Sequence, residues 1–339
     1  MDETPGATLG RLIVGFQVSQ AIHVAATLGV ADLLADGPRT SDELAVATNA
    51  HAGSLYRLLR ALASVGVFHE DDGRRFSLTP IGALLRSDVP ASLRGWAMHV
   101  GRPYFREAWS HLEHSIRTGE NAFQHVHGTD IWAYRAERPD ESAIFDLAME
   151  SLTGAANRAL LDAYDFGRFA SVVDVGGGNG ALLAALLGEF PAMRGVLLDQ
   201  PHVVANAAPV LERAGVADRC EIVGGSFFDE VPAGGDAYTL KSIIHDYEDD
   251  RAVTILRVCR RAMAADAALL LIERIVGPPN EDPRAKFSDL NMLVAPAGRE
   301  RTLQEWDALL TRAGFRLATA TPSSSGLAVI EASHDLTSP

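Results

Sequence analysis

The chain is 339 residues long and 47% hydrophobic, and its 44 Asp and Glu against 30 Lys and Arg give a formal net charge of −14. That apolar content, over a length of one large domain or two, excludes dominant disorder, and the acidic balance excludes a polyphosphate backbone as the main ligand. No run approaches the roughly 18 apolar residues of a membrane span, the opening MDETPGATLG has neither a basic nor an apolar leader region, and two cysteines, Cys220 and Cys259, make neither a disulfide framework nor a structural zinc site, so a cytoplasmic protein with buried free thiols is expected.

Residues 9–35 place Leu12, Val14, Val18, Ile22, Ala25, Ala26, Leu28 and Leu33 at helical spacing with an interruption at Gly29, which predicts one or two amphipathic helices. Thr40 or Ser41 ahead of Asp42 and Glu43 starts a short helix to Thr48. Asn49, Ala50 and His51 separate it from a second helix over 53–65, closed by Gly66. Strands at 67–70 and 74–78 flank the turn signal Asp71-Asp72-Gly73. Helix, helix and hairpin in this order make a winged helix-turn-helix pattern. A DNA-reading version needs a basic recognition helix, yet 53–65 offers only Arg57 and Arg60, and residues 1–95 hold 8 Arg against 10 Asp and Glu. The pattern therefore predicts a winged helix that packs against a second subunit rather than one that binds DNA.

Residues 91–165 read as mostly helical, broken at Gly119, around 125–129 and at Pro139. From Ser171 the pattern changes to short β-rich runs alternating with helices, with strands predicted at 171–175, 194–198, 220–223, 237–243, 268–274, 315–320 and 327–331. Such alternation implies a parallel sheet with helices on both faces. The strand at 171–175 runs into Asp174-Val175-Gly176-Gly177-Gly178-Asn179-Gly180 and then an apolar helix. A glycine turn between strand and helix lets the backbone approach a ligand closely. Nineteen residues past Gly180, Asp199 ends the next strand, where a carboxylate can take both hydroxyls of a ribose. The spacing differs from G-x-G-x-x-G, and a nucleoside with a short charged tail suits it better than a pyrophosphate. His245, just past the strand at 237–243, stands at the carboxyl edge of the sheet, where such sheets bind ligands. Asp246 is expected to face the other way along the strand and to serve the sheet or a helix terminus.

DVGGGNG, LLDQPHVV with Asp199, GGSFFDEVP, LKSIIHDYEDD and the ERT of AGRERTLQEWDALLTRAGF occur in an order that resembles the class I S-adenosylmethionine-dependent O-methyltransferases. The likeness is to the small-molecule family of plant phenolic and bacterial natural-product tailoring enzymes, and it covers nearly the whole chain. It implies an α/β, Rossmann-like methyltransferase domain at 166–335, its parallel sheet having a reversed last strand. A mostly α winged-helix dimerisation domain at 1–100 would form an intertwined homodimer, with a helical substrate-covering region at 101–165 between the two.

The same resemblance implies site residues. Asp174, Gly176, Gly178 and Gly180 would border the cofactor, Asp199 with Gln200 beside it would bind the ribose, and Phe227 and Lys241 would flank the adenine. Ser226 stands where many members have an Asp for the adenine amino group, Tyr247 where Trp is usual, and Ala297 where Gly is frequent. His245 would be the general base, since a phenol with pKa near 10 is only slightly ionised at neutral pH and a neighbouring base with pKa of about 6 to 7, as a histidine has, is the useful partner. Glu273 and Glu300 would orient its ring. Glu273 is notable in its own right, because it closes an apolar strand where an unpaired charge would be costly. Phe145, Met149, Asn291 and Met292 resemble acceptor-lining residues, with Trp96 and Phe287 as looser ones. No metal is expected: the family needs none, and His111, His114, His125 and His127 lack carboxylate or thiolate companions at metal spacing. The reading is O-methylation of a phenolic or enolic hydroxyl on an aromatic small molecule, with neither nucleic acid nor membrane as partner. The competing readings are a same-fold enzyme that uses the cofactor without methylating (hydroxylation, decarboxylation or rearrangement) and a winged-helix ligand-sensing regulator.

Overall fold

The computed structural model describes residues 4–89 and 91–335. Two compact units divide the chain: one takes the chain up to Ser110 together with Ala133–Gly154, the other His111–Trp132 and the chain from Ala155 onward.

In the first unit the predicted amphipathic stretch forms helices Pro5–Ile13, Gly15–Thr27 and Val30–Leu33, the last break falling at Gly29, whose φ of +67° is left-handed. Strand β1 (Arg39–Thr40) leads into helix Ser41–Thr48, which opens with a reciprocal capping box between Thr40 and Glu43. Helix Ala52–Ser64 follows, and then the hairpin of β2 (Phe68–Glu70) and β3 (Arg75–Leu78). The small sheet has the order β1-β3-β2. This is the expected winged helix; β1 adds an edge strand that is too short to leave a periodic signal. Leu44, Leu55, Leu59, Leu62, Phe68 and Phe76 form its core. Leu9, Leu12, Ile13 and Phe16 of the first two helices are each more than half exposed in the single chain. Helices Pro80–Ala83, Arg94–Val100 and Pro103–Ser110, the end of helix Ile131–Ala136 and the start of the long helix Pro139–Ala163 also belong to this unit. In the part of the second unit formed by His111–Trp132, Gly119 (φ +76°) and Gly128 (φ +70°) mark helix ends near the predicted breaks.

The second unit is built on seven strands: β4 (Ser171–Val175), β5 (Arg194–Asp199), β6 (Cys220–Gly224), β7 (Ala237–Lys241), β8 (Ala268–Glu273), β9 (Phe315–Pro322) and β10 (Ala328–His334). Their order is β6-β5-β4-β7-β8-β10-β9, parallel from β6 to β8, with β10 antiparallel to both its neighbours. The α/β sheet and its reversed final strand are as expected. Every residue of β8 is buried, as in a strand covered on both faces. The core divides into two clusters, one around Tyr238, Leu256, Trp306 and Leu310, the other around Leu183, Leu187, Leu197 and Leu270. Because β5 follows β4 on one side and β7 lies on the other, the strand order reverses beside β4, and a crevice at the carboxyl ends is the place for a ligand.

Two details depart from expectation. Strand β7 stops at Lys241, short of the predicted 243, because Ser242 turns the backbone with φ +55°. Cys259 is buried, but Cys220 is only half-buried.

Candidate active site

The loop after β4 carries three left-handed glycines, Gly176 (φ +70°), Gly178 (φ +62°) and Gly180 (φ +80°). At Gly176 a Cβ would also press on Ile243 and Phe227, and at Gly177 it would collide with the Asp174 carboxylate. The loop therefore has to be glycine to keep its path. Asp174 is 1% exposed; its Oδ1 accepts from the Thr239 hydroxyl at 2.8 Å, while Oδ2 has no hydrogen-bond partner among the described residues. Burial is the main cause that raises its pKa to about 6. Asp199, at the end of β5, reaches over the loop: Oδ2 accepts from the Gly178 N–H at 2.8 Å and Oδ1 from the Gln200 N–H at 2.7 Å. Beyond β6, the Ser226 hydroxyl accepts from the Phe228 N–H at 3.2 Å, and the rings of Phe227, Phe228 and Tyr247 pack edge to face or tilted. Lys241 ends β7, on the opposite side of β4 from these groups.

His245 lies in a single 3-10 turn, Ile244–Asp246, just past β7. Its Nδ1 is 3.2 Å from Glu300 Oε1 and 3.4 Å from Glu273 Oε2. Glu273, fully buried at the end of β8, also accepts the N–H groups of Ile243 (3.1 Å), Ile244 (2.9 Å) and His245 (3.4 Å) on Oε1. It thus holds the turn by its backbone and the ring by charge. Asp246, expected on the other face, instead brings Oδ1 to 3.5 Å from His245 Nε2, because a 3-10 turn does not alternate as a strand does.

The electrostatics follow from this crowding. Burial opposes charge on His245, but Glu273, Asp246 and Glu300 outweigh it and push the imidazole up to about 10. For Glu273, burial dominates and, with Glu300 and Asp246 nearby, raises it to about 7 against the pull of His245. Burial would raise Glu300 too, but its hydrogen bond to His245, the charge of that ring and the Ser288 hydroxyl leave it below its ordinary value.

A second layer, which sequence reasoning missed, fixes this cluster. Ser288 donates to Glu300 Oε1 at 2.7 Å, and Asp289 accepts from the Glu300 N–H at 2.9 Å. The Arg299 N–H donates to the His245 carbonyl at 2.8 Å. Arg301, 1% exposed, donates to the carbonyls of Ile244, Tyr247 and Arg299 and to Asp249. Gly298 leaves no room for a side chain, since a Cβ there would collide with the His245 carbonyl. Ala297 adopts φ +70°, a physical reason for the frequent glycine.

Met292 is buried and Asn291 half-buried in helix Pro283–Val294, which also carries Ser288 and Asp289; Phe287 on the same helix is 63% exposed. Asn121 donates its amide to the carbonyls of Leu293 and Ala295, tying segment His111–Trp132 to the end of that helix. In that segment the His114 and His125 rings stack with centroids 3.7 Å apart. Among the described residues, His245, Glu273 and Glu300 bring three possible ligand atoms within 4.8 Å of one another; the histidines of that segment form no such group. In the first unit Trp96 and Phe145 flank the buried His99, and Met149 is half-buried on helix Pro139–Ala163.

Comparison with known proteins finds an O-methyltransferase domain model matching residues 109–316 and an O-methyltransferase dimerisation domain model matching residues 11–88. The chain is 45% identical to a phenazine O-methyltransferase of Lysobacter antibioticus, covering 95% of this chain and 94% of that one. It is 38% identical to the 8-amino-8-demethylriboflavin N,N-dimethyltransferase of Streptomyces davaonensis, covering 97% and 96%. Among solved structures, an O-methyltransferase from neocarzinostatin biosynthesis, bound to S-adenosyl-L-homocysteine and 1,4-dihydroxy-2-naphthoic acid, superposes with TM-score 0.79 at 38% identity, covering 93% and 95%.

Proposed function

This chain belongs to the O-methyltransferase family, and we propose that within it the enzyme methylates a phenolic or enolic hydroxyl of an aromatic natural product with His245 as general base. The observation that carries this is the imidazole held at Nδ1 by two buried carboxylates at the carboxyl edge of the sheet. The cofactor is S-adenosylmethionine, which when bound supplies a methyl group made electrophilic by its positive sulfur. The chain's own residues fit it: the glycine loop gives close backbone approach, Asp199 offers acceptors for ribose hydroxyls, and the buried Asp174 Oδ2 is an acceptor in want of a donor. The dimerisation domain supports a homodimer. The neocarzinostatin relative, bound to a hydroxynaphthoic acid, supports an aromatic acceptor.

The roles of the residues follow. Nε2 of His245 would take the proton of the acceptor hydroxyl, and Glu300 and Glu273 would stabilise the resulting imidazolium through Nδ1. Asn291 and Met292 would bear on the acceptor from helix Pro283–Val294. An amine acceptor bound as a neutral amine would need no proton removed before attack; the carboxylate-backed histidine therefore favours a hydroxyl. The test is a panel of hydroxylated aromatic acceptors with methyl-labelled cofactor: label recovered on oxygen supports the reading, and label only on nitrogen, or none in a transformed product, overturns it.

A distinctive pH dependence goes with this role. With its pKa raised to about 10, His245 is protonated at neutral pH in the free protein and must lose that proton before it can act as a base. The rate constant kcat/KM is therefore expected to climb from pH 7 toward pH 10 instead of levelling near 6.5. Asp246→Asn, which removes one of the charges that stabilise the imidazolium, should move the ascending limb to lower pH, and an unmoved limb would detach Asp246 from the base.

A further inference from the structure

Lys241 and Asn157 stand 84 positions apart in the chain, yet the Lys241 ammonium donates to Asn157 Oδ1 at 2.9 Å. The amide of Asn157 in turn donates to the Ala181 carbonyl at 3.0 Å, on the first residue of helix Ala181–Glu189 behind the glycine loop. Asn157 is 3% exposed. One amide thus joins the long helix Pro139–Ala163, the end of β7 and the first turn of the helix that carries the loop.

Strand order decides which part of the cofactor this junction faces. The groups suited to ribose and adenine, Asp199 and the Ser226–Phe227 segment, follow β5 and β6 on one side of β4. Lys241 ends β7 on the other side, next to Thr239, which pairs in register with Asp174. A nucleoside seated over β5 and β6 sends its tail across the glycine loop toward β7. The tail of S-adenosylmethionine is an amino acid, with an α-carboxylate that a buried ammonium complements. Burial pushes the Lys241 ammonium down to about 8, with Asp174 pulling the other way. Asn157 is a neutral acceptor, so it aims the ammonium without cancelling its charge. A carboxylate at this position would satisfy the lysine and leave little for an anionic ligand.

We propose that Asn157 is a positioning residue that holds the Lys241 ammonium for the cofactor's α-carboxylate, so that Lys241 serves the amino-acid end rather than the adenine. The proposal rests on the reading of S-adenosylmethionine as cofactor.

Calorimetric titration of the full-length protein with S-adenosylhomocysteine and with 5′-methylthioadenosine, which has the nucleoside but no amino acid, tests it. Asn157→Leu should weaken S-adenosylhomocysteine by about tenfold, the scale of a hydrogen bond to a charged group, and leave 5′-methylthioadenosine within about twofold. Lys241→Met should do the same, and the double variant should add little to either. Should Asn157→Leu not fold, Asn157→Asp keeps the acceptor but neutralises the ammonium, and the same selective loss is expected. Equal weakening of both ligands, or of neither, overturns the proposal. Failure of the wild-type protein to bind S-adenosylhomocysteine at all overturns the cofactor reading itself, a distinct result.

Discussion

His245→Ala is expected to lower kcat by about 10²- to 10⁴-fold while S-adenosylhomocysteine binding stays near the wild-type value. The groups assigned to the nucleoside and its tail lie on the glycine loop and on or beyond β5, β6 and β7, whereas the imidazole hydrogen-bonds Glu300 Oε1. The residual rate of the variant should rise with pH until the acceptor hydroxyl itself ionises, because a phenolate formed in solution needs no base. Steady-state kinetics from pH 7 to pH 10, with calorimetry on the same samples, measure both. Wild-type turnover in the alanine variant would remove His245 from the chemistry.

Arg301→Leu is expected to cost about 2–4 kcal/mol of stability and to lower kcat as well. The guanidinium donates to Tyr247 O at 3.0 Å, Arg299 O at 3.2 Å and Ile244 O at 3.4 Å, and lies 5.1 Å from the centre of the Trp306 ring. Its ion pair with Asp249 at 2.7 Å contributes the smaller share, because that carboxylate is 39% exposed and partly screened by water. The larger part comes from the Tyr247 and Arg299 carbonyls, which lose this donor, while the Ile244 carbonyl keeps the Tyr247 N–H. Denaturant titration reads the stability, and an unchanged midpoint would show that the turn holds itself.

The sheet, the winged helix and the glycine loop were legible because each depends on local signals: period-2 or helical spacing, Asp71-Asp72-Gly73, and a strand that runs into glycines. Glu273 drew notice on physical grounds alone, as a charge closing an apolar strand. Glu300 did not; 55 positions from His245, it entered only through the family likeness, since nothing in its neighbourhood marks it as buried. Strand alternation carried past residue 243 puts Asp246 on the wrong face, because the chain turns at the left-handed Ser242, where no glycine announces the turn, and enters the 3-10 segment Ile244–Asp246. Arg301, Ser288 and Asn157 each act through at least one partner 12 to 84 positions away, and such pairings leave no trace in spacing.

Gly298 has a consequence for anyone redesigning acceptor choice. Its bare Cα lies against the His245 carbonyl, and the next residue bonds to that same oxygen. The segments 242–247 and 297–301 therefore behave as two halves of one moulding. A chimera that imports either half alone from a relative inherits a mismatch at that seam, whereas transplanting both together, with Ser288 and Asp289 that hold Glu300, preserves the fit.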